Sequence, residues 1–295
     1  MNANKKSIFV WSPFTGKVGT VQNVTNSFYS INKYSKFNTN LINAFGEWDS
    51  YVKEPNLEKV VIHNFKFLRF IKYWDTTGFL KSRFSYLLIF IFSFFQLLRL
   101  IKKQKPDFLI AHLISSLPLA IFYLFNFKTK LILHVAGHPK LNFFRKMAWK
   151  ISSKNIFKVI CPSEELKRVF LDNNIFDEKQ LKVIEDPHLI IKKIVKLKKH
   201  ELKDIFFDGS KILIAIGRMT KQKNYSFLIK NFKKLTIRYT DIKLIIIGDG
   251  EKKNELKNLI EELDLLNKIK LIDYELNIYK YLKKSNYYIS TSIWE

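Results

Sequence analysis

Short apolar runs alternate along this chain with longer stretches in which apolar residues recur every three or four positions. Strand-like runs fall at Ser7 to Trp11, Phe37 to Ile42, Phe108 to Ala111, Leu131 to Val135 and Val159 to Cys161. Between them the helical period predicts helices over Val21 to Tyr34, Phe84 to Lys103, Leu117 to Phe125, Phe143 to Ser152 and Glu164 to Asn173. Such alternation is the mark of a parallel sheet with crossover helices, an α/β class. Local signals agree: Pro106 closes the second helix, and Ser163 followed by Glu164 and Glu165 reads as an N-cap with acids in the first turn. After Asp186-Pro187 the pattern gives way to a lysine-rich segment, Lys192 to Lys203, read as a solvated linker or helix face. Alternation then resumes: strand Lys211 to Ile216, helix Tyr225 to Tyr239, strand Lys243 to Ile247, helix Glu251 to Leu265, strand Ile269 to Ile272, helix Ile278 to Lys284, strand Tyr287 to Thr291. The expected organisation is a first domain over 1–190, a basic linker over 191–210 and a second domain over 211–295. Parallel sheets are covered on both faces, and nothing follows the last strand to cover it. The pattern therefore reads as a second domain lacking its C-terminal portion.

Composition narrows the function classes. The 295 residues carry a net charge of +25, but the lysines are scattered among Asn, Ile and Phe, and no zinc spacing, RNA-binding aromatic signature or Arg-rich arm accompanies them. Nucleic acid is not expected as a partner; attraction to anionic lipid is, at about 1 kcal/mol per well-placed cation. The single cysteine, Cys161, lies in an apolar run and reads as core in a reducing compartment. The polar Met1 to Lys6 leads directly into a short strand, which does not fit a signal peptide. Phe84 to Leu98, bracketed by Arg83 and Arg99, falls short of the roughly 20 apolar residues needed to cross a bilayer, so it reads as a buried or membrane-touching helix.

The candidate chemistry gathers where strands pass into helices. Gly217-Arg218-Met219-Thr220-Lys221-Gln222-Lys223-Asn224 follows an apolar strand and opens a helix, which puts Arg218 and Lys223 where backbone N–H groups and the helix dipole already favour phosphate. Gly248-Asp249-Gly250 is a tight turn at the next strand end. In the first half, Trp11 to Thr20 contains Gly16 and Gly19 between strand and helix, where glycine permits close backbone approach to a ligand. It is not a dinucleotide fingerprint. His112, His134 and His138 lie at or just beyond strand ends, the ligand side of an open sheet. Glu185-Asp186-Pro187-His188 reads as a turn. There is no Asp-x-Asp pair and no obvious pair of catalytic carboxylates.

The order strand, Gly-Arg, Lys-Gln-Lys-Asn, helix, strand, Gly-Asp-Gly, helix, strand, helix, strand, Ser-Ile-Trp-Glu resembles the retaining glycosyltransferases of the GT-B fold, family four, over nearly the whole chain. The resemblance implies two Rossmann-like parallel-sheet domains facing a cleft, here with the second incomplete. It implies that Arg218 and Lys223 clamp the donor diphosphate, that Gly217, Gly248 and Gly250 lie at the nucleotide sugar, and that Glu295 contacts the donor sugar as the first of two signature glutamates. The second has no counterpart, so this chain as it stands is expected to be inactive. His138 first and His134 second are the candidates near the reacting sugar, although the family's His-Gly order is reversed at Gly137-His138. Gly16 and Gly19 would line the cleft, and His112 would sit on the acceptor side. The implied activity is transfer of a sugar from a nucleotide sugar to a lipid-linked saccharide with retention of configuration, in cell-surface polysaccharide assembly. No cofactor and no metal are expected, and the place of work is the cytoplasm, peripheral at the inner face of the membrane. A GT-B epimerase would need acid and base carboxylates that are not evident; a non-catalytic nucleotide-sugar-binding or membrane-scaffold protein is the alternative of another class.

Overall fold

The computed structural model describes residues 5–15, 19–65, 69, 79–137, 139, 141–187, 190–202 and 206–294, with the backbone alone at 79–82. Gly16, His138 and Glu295 lie outside the described residues, as does His188. The chain divides into two compact units, Met1–His188 and Leu189–Glu295.

The first unit is built on a seven-stranded parallel sheet in the order β3-β2-β1-β4-β5-β6-β7. Its strands are β1 (Ser7–Trp11), β2 (Asn38–Asn43), β3 (Val61–Asn64), β4 (Phe108–Ala111), β5 (Lys130–His134), β6 (Ile156–Cys161) and β7 (Leu181–Val183). The helices are α1 (Thr20–Tyr34), α2 (Phe79–Gln104), α3 (Ser116–Leu124), α4 (Phe143–Ser152) and α5 (Glu164–Asp172). Alternation along the strands sorts the core into two layers. Phe9, Trp11, Leu109, Ala111, Leu131 and Leu133 meet buried residues of α2 to α5, among them Ile89, Leu97, Leu117, Trp149 and Phe170. Ile8 and Val10 face the other way, onto Val21, Val24 and Phe28 of α1. The period-two logic of a strand buried on both faces accounts for both layers. Ser163 caps α5 as expected, its Oγ accepting the Leu166 N–H at 3.2 Å, with Glu164 and Glu165 in the first turn. Cys161 is fully buried, and burial pushes its thiol up to about 11, consistent with a core role.

The second unit carries a four-stranded parallel sheet, β10-β9-β8-β11, with β8 (Lys211–Ile216), β9 (Ile242–Ile247), β10 (Ile269–Ile272) and β11 (Tyr287–Tyr288). The near-continuous Ile and Leu of β8 and β9 are what a central parallel strand requires. Helices α7 (Tyr225–Arg238) and α8 (Lys253–Glu262) cover one face through Leu228, Ile229, Phe232, Leu256 and Ile260. On the other face, Tyr281 of α9 (Tyr279–Lys284) packs on Ile212, Ile214, Ile245 and Ile247.

Several expectations shift. The stretch read as linker contains a helix, α6 (Ile191–Leu197), which belongs to the second unit and packs against α9, where Asn277 Nδ2 donates to Leu197 O at 3.0 Å. The last strand is two residues long rather than five, and Tyr287 and Tyr288 are both more than half exposed on the sheet edge. The second helix of the first unit is longer than its apolar centre, and an 18-residue window within its run Arg83–Gln104 has a mean hydropathy of 2.0, enough by length and composition to cross a membrane. Ile89, Leu97, Leu98 and Ile101 of that run are nevertheless packed into the sheet's core.

Candidate functional site

Each sheet has one place where the direction of strand crossover reverses, and there a crevice opens beyond the strands' carboxyl ends. In the second unit this point lies between β8 and β11, and in the first between β1 and β4.

The β8/β11 point is a backbone structure. Gly217 directly follows β8, and its N–H donates to Ile247 O at 3.0 Å; Met219 N–H donates to Asp249 O at 2.9 Å, and Lys252 N–H donates back to Met219 O at 2.9 Å. The loops after β8 and β9 are thus bonded to each other. They approach so closely that a Cβ on Gly248 would lie 2.0 Å from Gly217 O, and one on Gly250 2.5 Å from Met219 O. Both glycines also have strongly positive φ, 155° and 158°, so only glycine fits on either count. A Cβ on Gly217 would come within 3.1 Å of Lys223 Cε, which shows that the Lys223 stem folds back over Gly217. Asn224 caps α7 in a left-handed conformation, φ 54° and ψ 40°. The final residues then close on the same loop: Thr291 Oγ1 donates to Lys223 O at 3.0 Å, Ile293 N–H to Gln222 O at 2.9 Å, and Gln222 Nε2 to Trp294 O at 2.9 Å. The loop after β8 and the Thr-Ser-Ile-Trp segment, 68 residues apart at the Thr291–Lys223 bond, are therefore one structure. Arg218 is exposed at its tip. Lys221, with Thr220, Asn224, Tyr225, Lys252 and Glu255, lines a cleft of about 290 Å³ beside the start of α7.

The β1/β4 point is a side-chain structure. Strand register places Trp11 beside Ala111 and Ala111 beside Leu133, so the next residues, Ser12, His112 and His134, form a row across three strands. The His112 and His134 ring centroids are 4.3 Å apart. All three side chains are buried, on the α1 side of the sheet, and Asn23 of α1 is buried with them. Asp186 is brought in by the segment after β7, which runs back to α1: its Oδ2 accepts from Asn23 Nδ2 at 2.8 Å, and Asn26 Nδ2 donates to Pro187 O at 2.5 Å. His134 Nε2 lies 2.9 Å from Asp186 Oδ1, close enough to pair but too poorly aligned for a hydrogen bond. Ser12 Oγ, Asn23 Oδ1, His112 Nδ1 and His134 Nδ1 are buried without a hydrogen-bond partner. Orphaned polar atoms at that density are costly in an ordinary core and usual where a ligand or bound water is received. Burial, and secondarily the neighbouring His134, hold His112 well below the usual imidazole range, so it stays neutral. Gly19, at the N-cap of α1, has open space around it.

One group had no sequence signal. Glu47, in the turn after β2, is buried, and its two carboxylate oxygens accept the N–H groups of Ala44 at 3.0 Å and Phe45 at 2.8 Å. Burial raises it to about 7 despite those bonds, and the charge of Asp49 adds to the rise. Beside it, Trp48 packs edge-on to Phe14 at 5.1 Å.

Residues 196–295 match the family model "Glycosyl transferases group 1". An uncharacterized glycosyltransferase of Methanocaldococcus jannaschii is 33% identical over 219 residues, covering 68% of this chain and 53% of the relative. The Campylobacter jejuni N-acetylgalactosamine-N,N'-diacetylbacillosaminyl-diphospho-undecaprenol 4-alpha-N-acetylgalactosaminyltransferase is 28% identical over 176 residues, 58% of this chain and 47% of the relative. The chain thus spans about half the length of these curated relatives. Among solved structures, Anabaena HepE in complex with UDP-glucose superposes with a TM-score of 0.63 at 16% identity, over 97% of this chain and 74% of that one. The two parallel α/β units are those of the GT-B glycosyltransferases, and solved glycosyltransferases share them.

Proposed function

We propose that this chain, whose residues 196–295 carry a group 1 glycosyltransferase domain, moves a sugar from a nucleotide-sugar donor to a lipid-linked saccharide. In this reading it retains the anomeric configuration and works at the cytoplasmic face of a membrane. The observation that carries the reading is the bonded loop pair after β8 and β9, a glycine-lined backbone over which the Lys223 stem folds back and from which Arg218, next to Gly217 in the chain, is exposed. Departure of the nucleotide builds negative charge on a diphosphate, and cations fixed at that point lower the barrier without a metal. Arg218 offers a planar fork for two phosphate oxygens and Lys223 a point charge. With the diphosphate held, its own leaving oxygen takes the proton of the attacking hydroxyl on the same face, which gives retention without a carboxylate nucleophile. His134, and by sequence His138, serve the sugar side. The C. jejuni relative supports the acceptor class through its diphospho-undecaprenol substrate, and HepE supports the donor class through its bound UDP-glucose.

The test is donor turnover by an intact-length version of the protein across a panel of UDP- and GDP-sugars. R218A and K223A should each lower it about 100-fold, a typical cost of one lost electrostatic donor, with K221A close to the parent and chelator without effect. Turnover within threefold of the parent in both clamp variants removes the clamp; loss on chelation removes metal independence.

A further inference from the structure

The first unit has a second surface feature that the donor loops do not use. From Phe79 to Ser163 the sequence contains fourteen Lys or Arg and one acid, Asp107. That stretch supplies α2, α3 and α4, which lie on one face of the sheet, with α3 packed against both others. Their inner sides are core. Their outer sides are apolar as well: Leu87, Ile91 and Phe95 follow one another along α2, with Phe95 71% exposed, and Tyr123 and Leu124 end α3. On α4, Phe143 and Phe144 are 73% and 75% exposed, and Met147 and Ile151 continue the same arc while Trp149 turns into the core. Lys150 and Lys154 flank this arc, and α4 itself contains no acid.

We propose that this face docks on an anionic lipid bilayer, with α4 lying in the interface plane, Phe143, Phe144, Met147 and Ile151 inserted, and Lys150 and Lys154 at the headgroups. Helices apolar on one side and cationic at the margin bind in this way, and their affinity combines buried apolar area with attraction to anionic lipid. Charge complementarity selects the occupant: a second copy of the chain would bring the same near acid-free cationic face against this one, whereas anionic headgroups neutralise it. The surface rests on the lipid-linked acceptor proposed above, but vesicle binding reads it without any turnover, so the two can fail separately.

The full chain is sedimented with vesicles of phosphatidylcholine, with and without a minority of phosphatidylglycerol. Binding is expected with the anionic lipid, weakening as salt rises. F143S/F144S should reduce partitioning about tenfold or more, from the loss of two inserted aromatic side chains. K150E/K154E should reduce it by a similar factor and abolish the preference for phosphatidylglycerol. F227S/I237S, which removes exposed apolar groups from α7 of the second unit, should bind as the parent does. Absence of sedimentation with anionic vesicles overturns the proposal, as does binding unchanged in both α4 variants. A lipid-free dimer dispersed by F143S/F144S would also overturn it and make the face a self-association surface.

Discussion

The two sheets end in the same kind of place and furnish it by opposite means. At β8 the crevice wall is main chain: three glycines let two loops bond to each other, and the cations Arg218 and Lys223 are added on top. At β1 the wall is side chain: Ser12, Asn23, His112, His134 and Asp186 meet in a buried cluster with several polar atoms unsatisfied. A main-chain wall suits a ligand group common to many substrates, such as a diphosphate, because N–H groups and helix termini recognise charge and little else. A side-chain wall can differ from one protein to the next without disturbing the fold, as specificity for a particular sugar or acceptor would require.

The contrast breaks most sharply at Gly248. Alanine there places a Cβ 2.0 Å from the Gly217 carbonyl oxygen, a backbone atom that cannot move without unbonding the two loops. G248A should cost about 4 kcal/mol or more in urea unfolding of the full chain, in the range that only severe overlap reaches, and should abolish binding of UDP-sugars. G19A, at a position with open space and helical φ, should stay within about 0.5 kcal/mol. A G248A protein with parental stability would show that the loops are not locked and that the main-chain wall is an accident of one conformation.

Glu47 sharpens the first unit's side of the comparison through pH. Its folded carboxyl titrates near 7, above the ordinary 4.5, so the folded state holds the proton more tightly than the unfolded chain. The associated stability is present below about 4.5 and is lost as pH rises to 7, by about 3 kcal/mol in all. His112 acts in the other direction: its folded imidazole resists protonation, so stability present above about 6.5 is lost as pH falls further. The parent should therefore show a shallow profile between pH 5 and 6.5, where the two slopes oppose. E47Q should leave only the histidine slope, with stability rising toward neutrality. An E47Q profile that still falls from pH 5 to 7 would mean that another buried acid is responsible.

How much of this was legible in the chain depends on what each feature is made of. The β8 loop was readable because its parts are local: Gly217, Arg218 and Lys223 lie within seven residues, directly after an unbroken Ile-rich strand. Most helices of the first unit, and the Ser163 cap, were legible for the same reason. The edge strands β3 and β7 were not, since Val61-Ile62-His63-Asn64 and Leu181-Lys182-Val183 are too short and too polar to show a period. Asp186 read as a turn because its partner Asn23 is 163 residues away. Glu47 read as nothing, since an acid two residues before an Asp looks solvated until the turn folds over it. The helix α6 was hidden by lysines that look the same on a linker and on an exposed helix face.

Asp186 carries the smallest and most specific expectation. Its carboxylate accepts from Asn23 and lies 2.9 Å from His134 Nε2, so it fixes the segment after β7 on α1 and, by its charge rather than by an aligned hydrogen bond, favours the imidazole tautomer protonated at Nε2. In D186N the amide oxygen still accepts from Asn23, while its NH₂ group confronts Nε2 and favours the other tautomer. The cost to stability should be about 1 kcal/mol, the size of one neutral hydrogen bond rearranged inside a pocket that still closes. The signature that a merely structural role would not produce is in the ring itself: ¹⁵N shifts of His134 should exchange the protonated and bare nitrogens between parent and D186N. UDP affinity, which in this reading belongs to the β8 and β9 loops with Arg218 and Lys223, should stay unchanged while turnover with an intact nucleotide sugar falls. Identical ring shifts in the two proteins would show that Asp186 does not set the tautomer, and loss of UDP binding in D186N would show that the two walls are not separate recognition surfaces.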